Sequence, residues 1–122
     1  MDLSITIPVF NSENILENLI NKIYESFDKS SFSKKFEIIL VNDCSHDQSW
    51  GKIKFLSDKF ANVKGINLLE NRGQHNAIMA GLRECRGDII IIMDDDMQHP
   101  PESVLDIYNE LIKDFDVCYV YY

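Results

Sequence analysis

Three consecutive carboxylates, Asp94, Asp95 and Asp96, follow directly on the apolar run Ile89-Ile90-Ile91-Ile92-Met93 and lead through Gln98 and His99 into Pro100-Pro101. Carboxylates held about 4 Å apart repel by roughly 4 kcal/mol per pair at an effective dielectric near 20. A hard divalent cation removes that repulsion. The donors within reach, Asp94, Asp96 and the amide oxygen of Gln98, are all oxygens, a set that suits magnesium or manganese. Side chains alternate along an extended segment, so Asp95 is expected to point away from Asp94 and Asp96. The plainer reading is a solvated acidic turn. His99, beside the acids, has either a role near the metal or none.

Acids in this position need a scaffold that ends a buried strand at a crevice. An unbroken apolar run reads as a central strand covered on both faces of a parallel sheet. It must stop where the charge begins, because adjacent carboxylates cannot sit in a dry core. The prolines then stop further pairing and open a helix. Four more strands are expected: Ile5 to Phe10 with Leu3 before it, Phe36 to Val41 as a continuous apolar run, Val63 to Leu69, and Val117 to Tyr122. Pro8 suggests that the first of these lies at an edge or ends there.

Helical periodicity fills the intervals. Ile15, Leu16, Leu19, Ile20, Ile23, Tyr24 and Phe27 form one stripe, with Asn11 or Ser12 as its cap. Ser45 and Gln48 have the spacing of a capping box before Trp50, Ile53, Leu56 and Phe60. A third helix, Gln74 to Arg86, is expected to stop at a Gly87 cap. Ala77, Ala80 and Gly81 make it thin, which close packing on the sheet, or near a ligand, would explain. Ser103 to Lys113 forms the fourth. This alternation predicts an α/β fold with a Rossmann-like parallel sheet and helices on both faces.

Open sheets of this kind bind ligands beyond the carboxyl ends of their strands. Those ends carry Pro8, Phe10, Asn11 and Glu13; Asn42, Asp43 and Ser45; Asn71, Arg72 and Gln74; and the aspartates. A rim rich in amides and acids with one arginine suits a nucleotide. Asp43 is placed to accept a base N–H, Arg72 to reach a phosphate, and a metal to bridge a diphosphate. Each has a structural alternative: Asp43 and Ser45 as turn and cap residues, Arg72 as a surface residue, Glu13 as a favourable charge in a first helical turn. His46 and His75 read as structural or exposed.

The 122 residues are 45% hydrophobic, enough for one domain with a core. A net charge of −8 argues against nucleic acid as a partner. Cys44, Cys85 and Cys118 are scattered, without a CxxC pair, which suits a reducing compartment and no zinc site. No signal peptide or membrane span is legible. The chain ends within an apolar strand, so it is expected to be the front part of a longer protein.

SITIPVFNSEN, VNDCSHDQS, NRGQHNAIMAGL and IIMDDDMQHPPE, in this order at successive strand ends, resemble the inverting family 2 glycosyltransferases of the GT-A fold. The likeness is strongest to polyprenyl-phosphate sugar transferases of the dolichol-phosphate and bactoprenol types. It covers residues 1–122, corresponding to the nucleotide-sugar-binding half of that family's catalytic domain. The resemblance implies a nucleoside pocket lined by Pro8, Phe10, Asn11 and Glu13. Asp43 would bind the base, Arg72 would lie near base or phosphates, and Ser45, Asp94 and Asp95 would complete the nucleotide-facing rim. Asp94 and Asp96 would be the DxD pair, with Gln98 completing a magnesium or manganese site. Ser12 intervenes where the family often has glutamate. Cys44 stands where a glycine is common, and Asp95 where a small residue is.

The implied reaction moves a sugar with inversion from a nucleotide-diphosphate sugar, UDP-linked by expectation, to a polyprenyl phosphate or a glycan, in cell-envelope polysaccharide synthesis. The general base is expected beyond Tyr122, so the chain alone is expected to bind donor and transfer poorly. The resemblance implies a cytoplasmic location, at the inner face of the membrane if later segments anchor the protein. A non-catalytic nucleotide- or carbohydrate-binding module shares these features. A receiver domain would need acids after its first strand and an aspartate after its third; Pro8-Val9-Phe10-Asn11 and Glu70-Asn71-Arg72 stand there. A dehalogenase-type phosphatase and a dinucleotide-binding dehydrogenase lack their signatures after the first strand.

Overall fold

The computed structural model describes residues 1–70, 73–95 and 103–114, with side chains to residue 111. Strands β1 (Leu3–Val9), β2 (Phe36–Asp43), β3 (Val63–Leu68) and β4 (Ile89–Ile92) alternate with helices α1 (Leu16–Lys29), α2 (Ser49–Lys59), α3 (Gln74–Glu84) and α4 (Ser103–Asp114). The expected strand Val117 to Tyr122 lies outside the described residues. All pairings are parallel, in the order β3-β2-β1-β4.

Alternation divides the core between the two faces of the sheet. Leu3, Ile5, Ile7 and Val9 of β1, with Ile38 and Leu40 of β2, meet the apolar stripes of α1, α2 and α4 in one large cluster. Ile39 and Val41 face the other way and pack on Ala77 of α3. The thinness of α3 has the expected cause. A Cβ at Gly81 would stand 2.0 Å from Thr6 Oγ1 and 3.2 Å from Val41 Cγ2, so only glycine allows this approach.

Among the described strands β4 is at an edge, not central, and it is not covered on both faces. Ile91 is buried, but Ile90 and Ile92 are 37% and 36% exposed. The reason is the placement of α3, which lies over β1 and β2.

Pro8 marks where β4 leaves the sheet. Successive residues of a parallel strand turn their backbone groups to opposite neighbours. Ile89 N donates to Asp2 O at 3.1 Å and Met93 N to Thr6 O at 3.0 Å, so the even residues of β1 face β4. Pro8 is the next even residue and has no N–H to donate. The β1–β4 register ends at Thr6↔Ile92, whereas β1–β2 runs on to Val9↔Asn42. The proline therefore sits in an interior strand, at the point where the ladder on one flank is over.

The far end of the sheet holds a buried acid that the reading of Phe36 to Val41 as purely apolar passes over. Glu37 is 1% exposed. Its Oε2 accepts from Ser4 Oγ at 2.6 Å and from Arg86 N at 2.7 Å, and Lys64 Nζ lies 3.0 Å from Oε1. Gly87 N donates to Ser4 Oγ at 2.8 Å. Burial alone would raise the Glu37 pKa, but these partners outweigh it and hold it below the ordinary carboxylate value. Gly87 is not the cap of α3, which ends at Glu84 with an extended Cys85. It is needed because a Cβ there would meet Ser4 N at 2.5 Å and Leu3 C at 2.7 Å.

Candidate functional site

Beyond the carboxyl ends of β1 and β2, the chain from Phe10 to Glu13 is held by a series of side chains. Asn11 takes a left-handed conformation, φ 51°, which turns the chain sharply out of β1. Four successive backbone N–H groups then each donate to a different side chain. Phe10 N reaches Asp95 Oδ2 (3.1 Å), Asn11 N reaches Ser45 Oγ (3.0 Å), Ser12 N reaches Ser49 Oγ (2.7 Å) and Glu13 N reaches Asp47 Oδ2 (3.3 Å). In return His46 N donates to Asn11 Oδ1 at 2.8 Å. The β1 loop and the β2–α2 loop are thus one hydrogen-bonded unit.

This lacing replaces the helix caps expected from the sequence. Helix α1 begins at Leu16, with Ile15 in the cap position and no side-chain cap; Ser12 contributes its carbonyl to Ile15 N and Leu16 N. Helix α2 begins at Ser49, so Ser45 and Gln48 form no capping box. Asp47, one residue before the cap position, accepts from Ser49 N at 2.9 Å and Ser49 Oγ at 2.6 Å. Burial alone would raise the Asp47 pKa, but these bonds hold it below its ordinary value. Cys44, where glycine is common in the resembling family, has φ 55°, the conformation that glycine would take without strain.

A cavity of about 300 Å³ opens between these loops and the start of α3, lined by Pro8, Val9, Phe10, Asp43, Gly73, Gln74 and Asp95. Asp43 is 6% exposed, and its Oδ1 finds no hydrogen-bond partner among the described residues. Burial pushes its pKa up. A buried oxygen left unpaired at a cavity wall is costly unless a ligand supplies a donor. Phe10 is 44% exposed, with the His46 ring edge-on at 5.9 Å.

The two described acids have different partners. Gln74 Nε2 donates to Asp94 Oδ1 at 3.1 Å, whereas Asp95 Oδ2 accepts from Phe10 N and from the Ser12 hydroxyl. Both carboxylates are half-buried. Among the described residues no three His, Cys, Asp or Glu side chains gather as a metal site. Asp96, Gln98 and His99 lie outside those residues, as does Arg72. Asp94, at the carboxyl end of β4, offers the carboxylate oxygens that a hard divalent cation takes.

Of the residues singled out from the sequence, Pro8, Phe10, Asp43, Gln74 and Asp95 therefore meet at one cavity. Asn11, Ser45 and Glu13 stand behind it, Asn11 and Ser45 engaged with the neighbouring loop. His46 and His75 are exposed, as expected. Val9 was not singled out, and nothing distinguishes it from a core residue in the sequence. Gly73, at φ 94°, could have been found as the glycine that turns β3 into α3.

A parallel sheet in the order β3-β2-β1-β4 with an acid-lined crevice at its carboxyl end defines an open, Rossmann-like α/β protein. The model of the glycosyl transferase family 2 matches residues 4–122, and the chain belongs to that family. The undecaprenyl-phosphate 4-deoxy-4-formamido-L-arabinose transferase of Shewanella sediminis is 39% identical over 93% of this chain and 34% of its own length. The dolichol-phosphate mannosyltransferase of Pyrococcus furiosus is 33% identical over 97% of this chain and 32% of its own. The chain thus spans about a third of the length of the curated relatives it matches. Among solved structures, the mannosyltransferase PcManGT from Pyrobaculum calidifontis in complex with GDP-Man and Mn2+ superposes with a TM-score of 0.74. It covers 92% of this chain and 32% of that one at 22% identity, a likeness of fold. The sheet-and-helix architecture expected from the sequence is therefore that of a GT-A glycosyltransferase.

Proposed function

We propose that this chain forms the donor-binding part of a glycosyltransferase that moves a sugar with inversion from a nucleotide-diphosphate sugar to a polyprenyl phosphate. The observation that carries this reading is Asp43, a buried carboxylate whose Oδ1 has no partner among the described residues, on the wall of a cavity that Phe10 and Asp95 also line. A nucleobase N–H satisfies Asp43 Oδ1, and the exposed Phe10 ring offers a face for the base. Arg72 is assigned to the phosphates. Asp94, Asp96 and Gln98 are assigned to a divalent cation, magnesium or manganese, with Gln74 orienting Asp94. When bound, that cation offsets the charge of the departing diphosphate.

The acceptor assignment is supported by the relatives, named for undecaprenyl and dolichol phosphates. A phosphate acceptor is ionised at neutral pH, so it needs less help from a general base than a hydroxyl does. The described residues include no helix long and apolar enough to cross a membrane. Association with the inner face of the cytoplasmic membrane therefore belongs to the proposal.

Calorimetry with UDP and with GDP, each with and without Mn2+, tests the reading. The expected result is binding of one diphosphate that Mn2+ strengthens and that Asp43→Ala abolishes. Binding of neither, or binding indifferent to both Mn2+ and Asp43, overturns it.

A further inference from the structure

We propose that Asp95 is a positioning residue, a clasp joining the β1 loop to the acidic loop after β4, and not itself a ligand of the cation or the diphosphate. The inference rests on the donor-binding reading above and assigns Asp95 a different part in it. Its Oδ2 accepts two hydrogen bonds, from Phe10 N at 3.1 Å and from the Ser12 hydroxyl. That hydroxyl also lies 3.0 Å from Phe10 O, but it has one proton, and the charged carboxylate is the stronger acceptor. Ser12 is 6% exposed and anchored in turn through its N–H to Ser49. Asp95 is therefore wired into the unit formed by the β1 and β2–α2 loops, while its neighbour Asp94 turns to Gln74 of α3.

The backbone explains why a side chain is needed for this. The β1–β4 ladder ends with Met93 N on Thr6 O, because Pro8 has no N–H for the next rung. Past that point, among the described residues, the hydrogen bonds linking the acidic loop to the β1 loop are those of Asp95. The clasp fixes Phe10, an exposed ring just before a left-handed turn, at a set distance from Asp94. A cation drawing on Asp94 and a base lying on Phe10 then act on one rigid frame.

Two measurements test this on the chain and its Asp95→Ala, Asp95→Asn and Ser12→Ala variants. The first needs no ligand. Amide hydrogen exchange at Phe10, followed by NMR, is expected to quicken at least about tenfold in Asp95→Ala, the loss of one hydrogen bond to a charged group. It should stay near the original rate in Asp95→Asn, whose amide oxygen still accepts. Unchanged exchange in Asp95→Ala overturns the clasp, whether or not the chain binds a nucleotide.

The second compares uridine and guanosine without metal against UDP and GDP with Mn2+. Asp95→Ala is expected to weaken nucleoside and diphosphate alike, Ser12→Ala to do so less, and Asp95→Asn to restore both. A loss confined to the Mn2+-diphosphate complex, with nucleoside affinity intact and no rescue by asparagine, makes Asp95 a direct ligand and overturns the proposal. If none of the four compounds binds the parent chain, the donor-binding reading fails, and the exchange measurement alone decides the clasp.

Discussion

The side-chain amide of Gln74, the first residue of α3, stands 3.1 Å from Asp94 Oδ1 and donates to it. The turn at Gly73, φ 94°, brings the helix start to this point. A carboxylate held by one oxygen presents the other in a defined direction, which is how outer partners orient metal ligands. Gln74→Ala should therefore lower the affinity for Mn2+ by about tenfold. Gln74 is exposed, so the thermal midpoint should hardly move. Titration of Mn2+ in the presence of the bound diphosphate checks this; equal affinities would mean that the amide does not orient Asp94.

Asp43 should cost the fold stability that its binding role requires. Its folded pKa lies above the ordinary carboxylate value because of burial. For a raised carboxylate, the native state is favoured below the unfolded pKa and loses stability as pH rises through the folded one. Asp43→Asn, a neutral group of the same shape, should gain about 1 kcal/mol at pH 7 relative to the parent. The gain should vanish toward pH 3, where both are uncharged, and nucleotide affinity should fall. Urea unfolding across that pH range reads the first effect and calorimetry the second.

Glu37 should behave in the opposite sense. Its folded pKa is lowered by Ser4, the Arg86 N–H and Lys64 against the effect of burial. Such a group contributes stability above its unfolded pKa, lost as pH falls through the folded value. Glu37→Gln should cost about 1–3 kcal/mol at pH 7. Its unfolding free energy should then depend less on pH on the acid side than the parent's does. Parallel slopes below pH 5 would remove Glu37 from the account of acid unfolding.

What the sequence made legible follows from how local each feature is. The apolar runs and helical stripes are read within a dozen residues, and the four strands and four helices they announce within the described residues are present. Asp95, Asp43 and Phe10 lie at strand ends, which a parallel sheet must gather on one side, so their meeting was foreseeable. The caps were not. Ser12 and Ser45 each have the chemistry of a local cap, but distant partners take them, Asp95 the Ser12 hydroxyl and Asn11 N the Ser45 hydroxyl. Glu37 was missed because five apolar neighbours mask one acid whose partners come from β1, β3 and the turn after α3. Pro8 suggested an edge or a strand end, whereas it sits in an interior strand and ends only the ladder to β4; that depended on strand order, which no single segment encodes.

The contact between Gly81 and Thr6 should be the most sensitive point of the sheet's less covered face. A Cβ at Gly81 would stand 2.0 Å from Thr6 Oγ1, and both residues are buried where α3 crosses β1. Gly81→Ala should raise intrinsic helix propensity by up to about 1 kcal/mol, yet overpacking here should cost about 1–3 kcal/mol. The net effect should be a loss. Thr6 Oγ1 has no hydrogen-bond partner among the described residues, so Thr6→Ala removes a buried unpaired polar atom and should be near neutral. In Thr6→Ala/Gly81→Ala the nearest remaining contacts would be about 3.2 Å, to the residue 6 Cβ and Val41 Cγ2. The double variant should therefore recover most of the loss, a coupling that a double-mutant cycle in urea measures directly. Additive losses would mean that α3 shifts as a body instead of meeting Thr6.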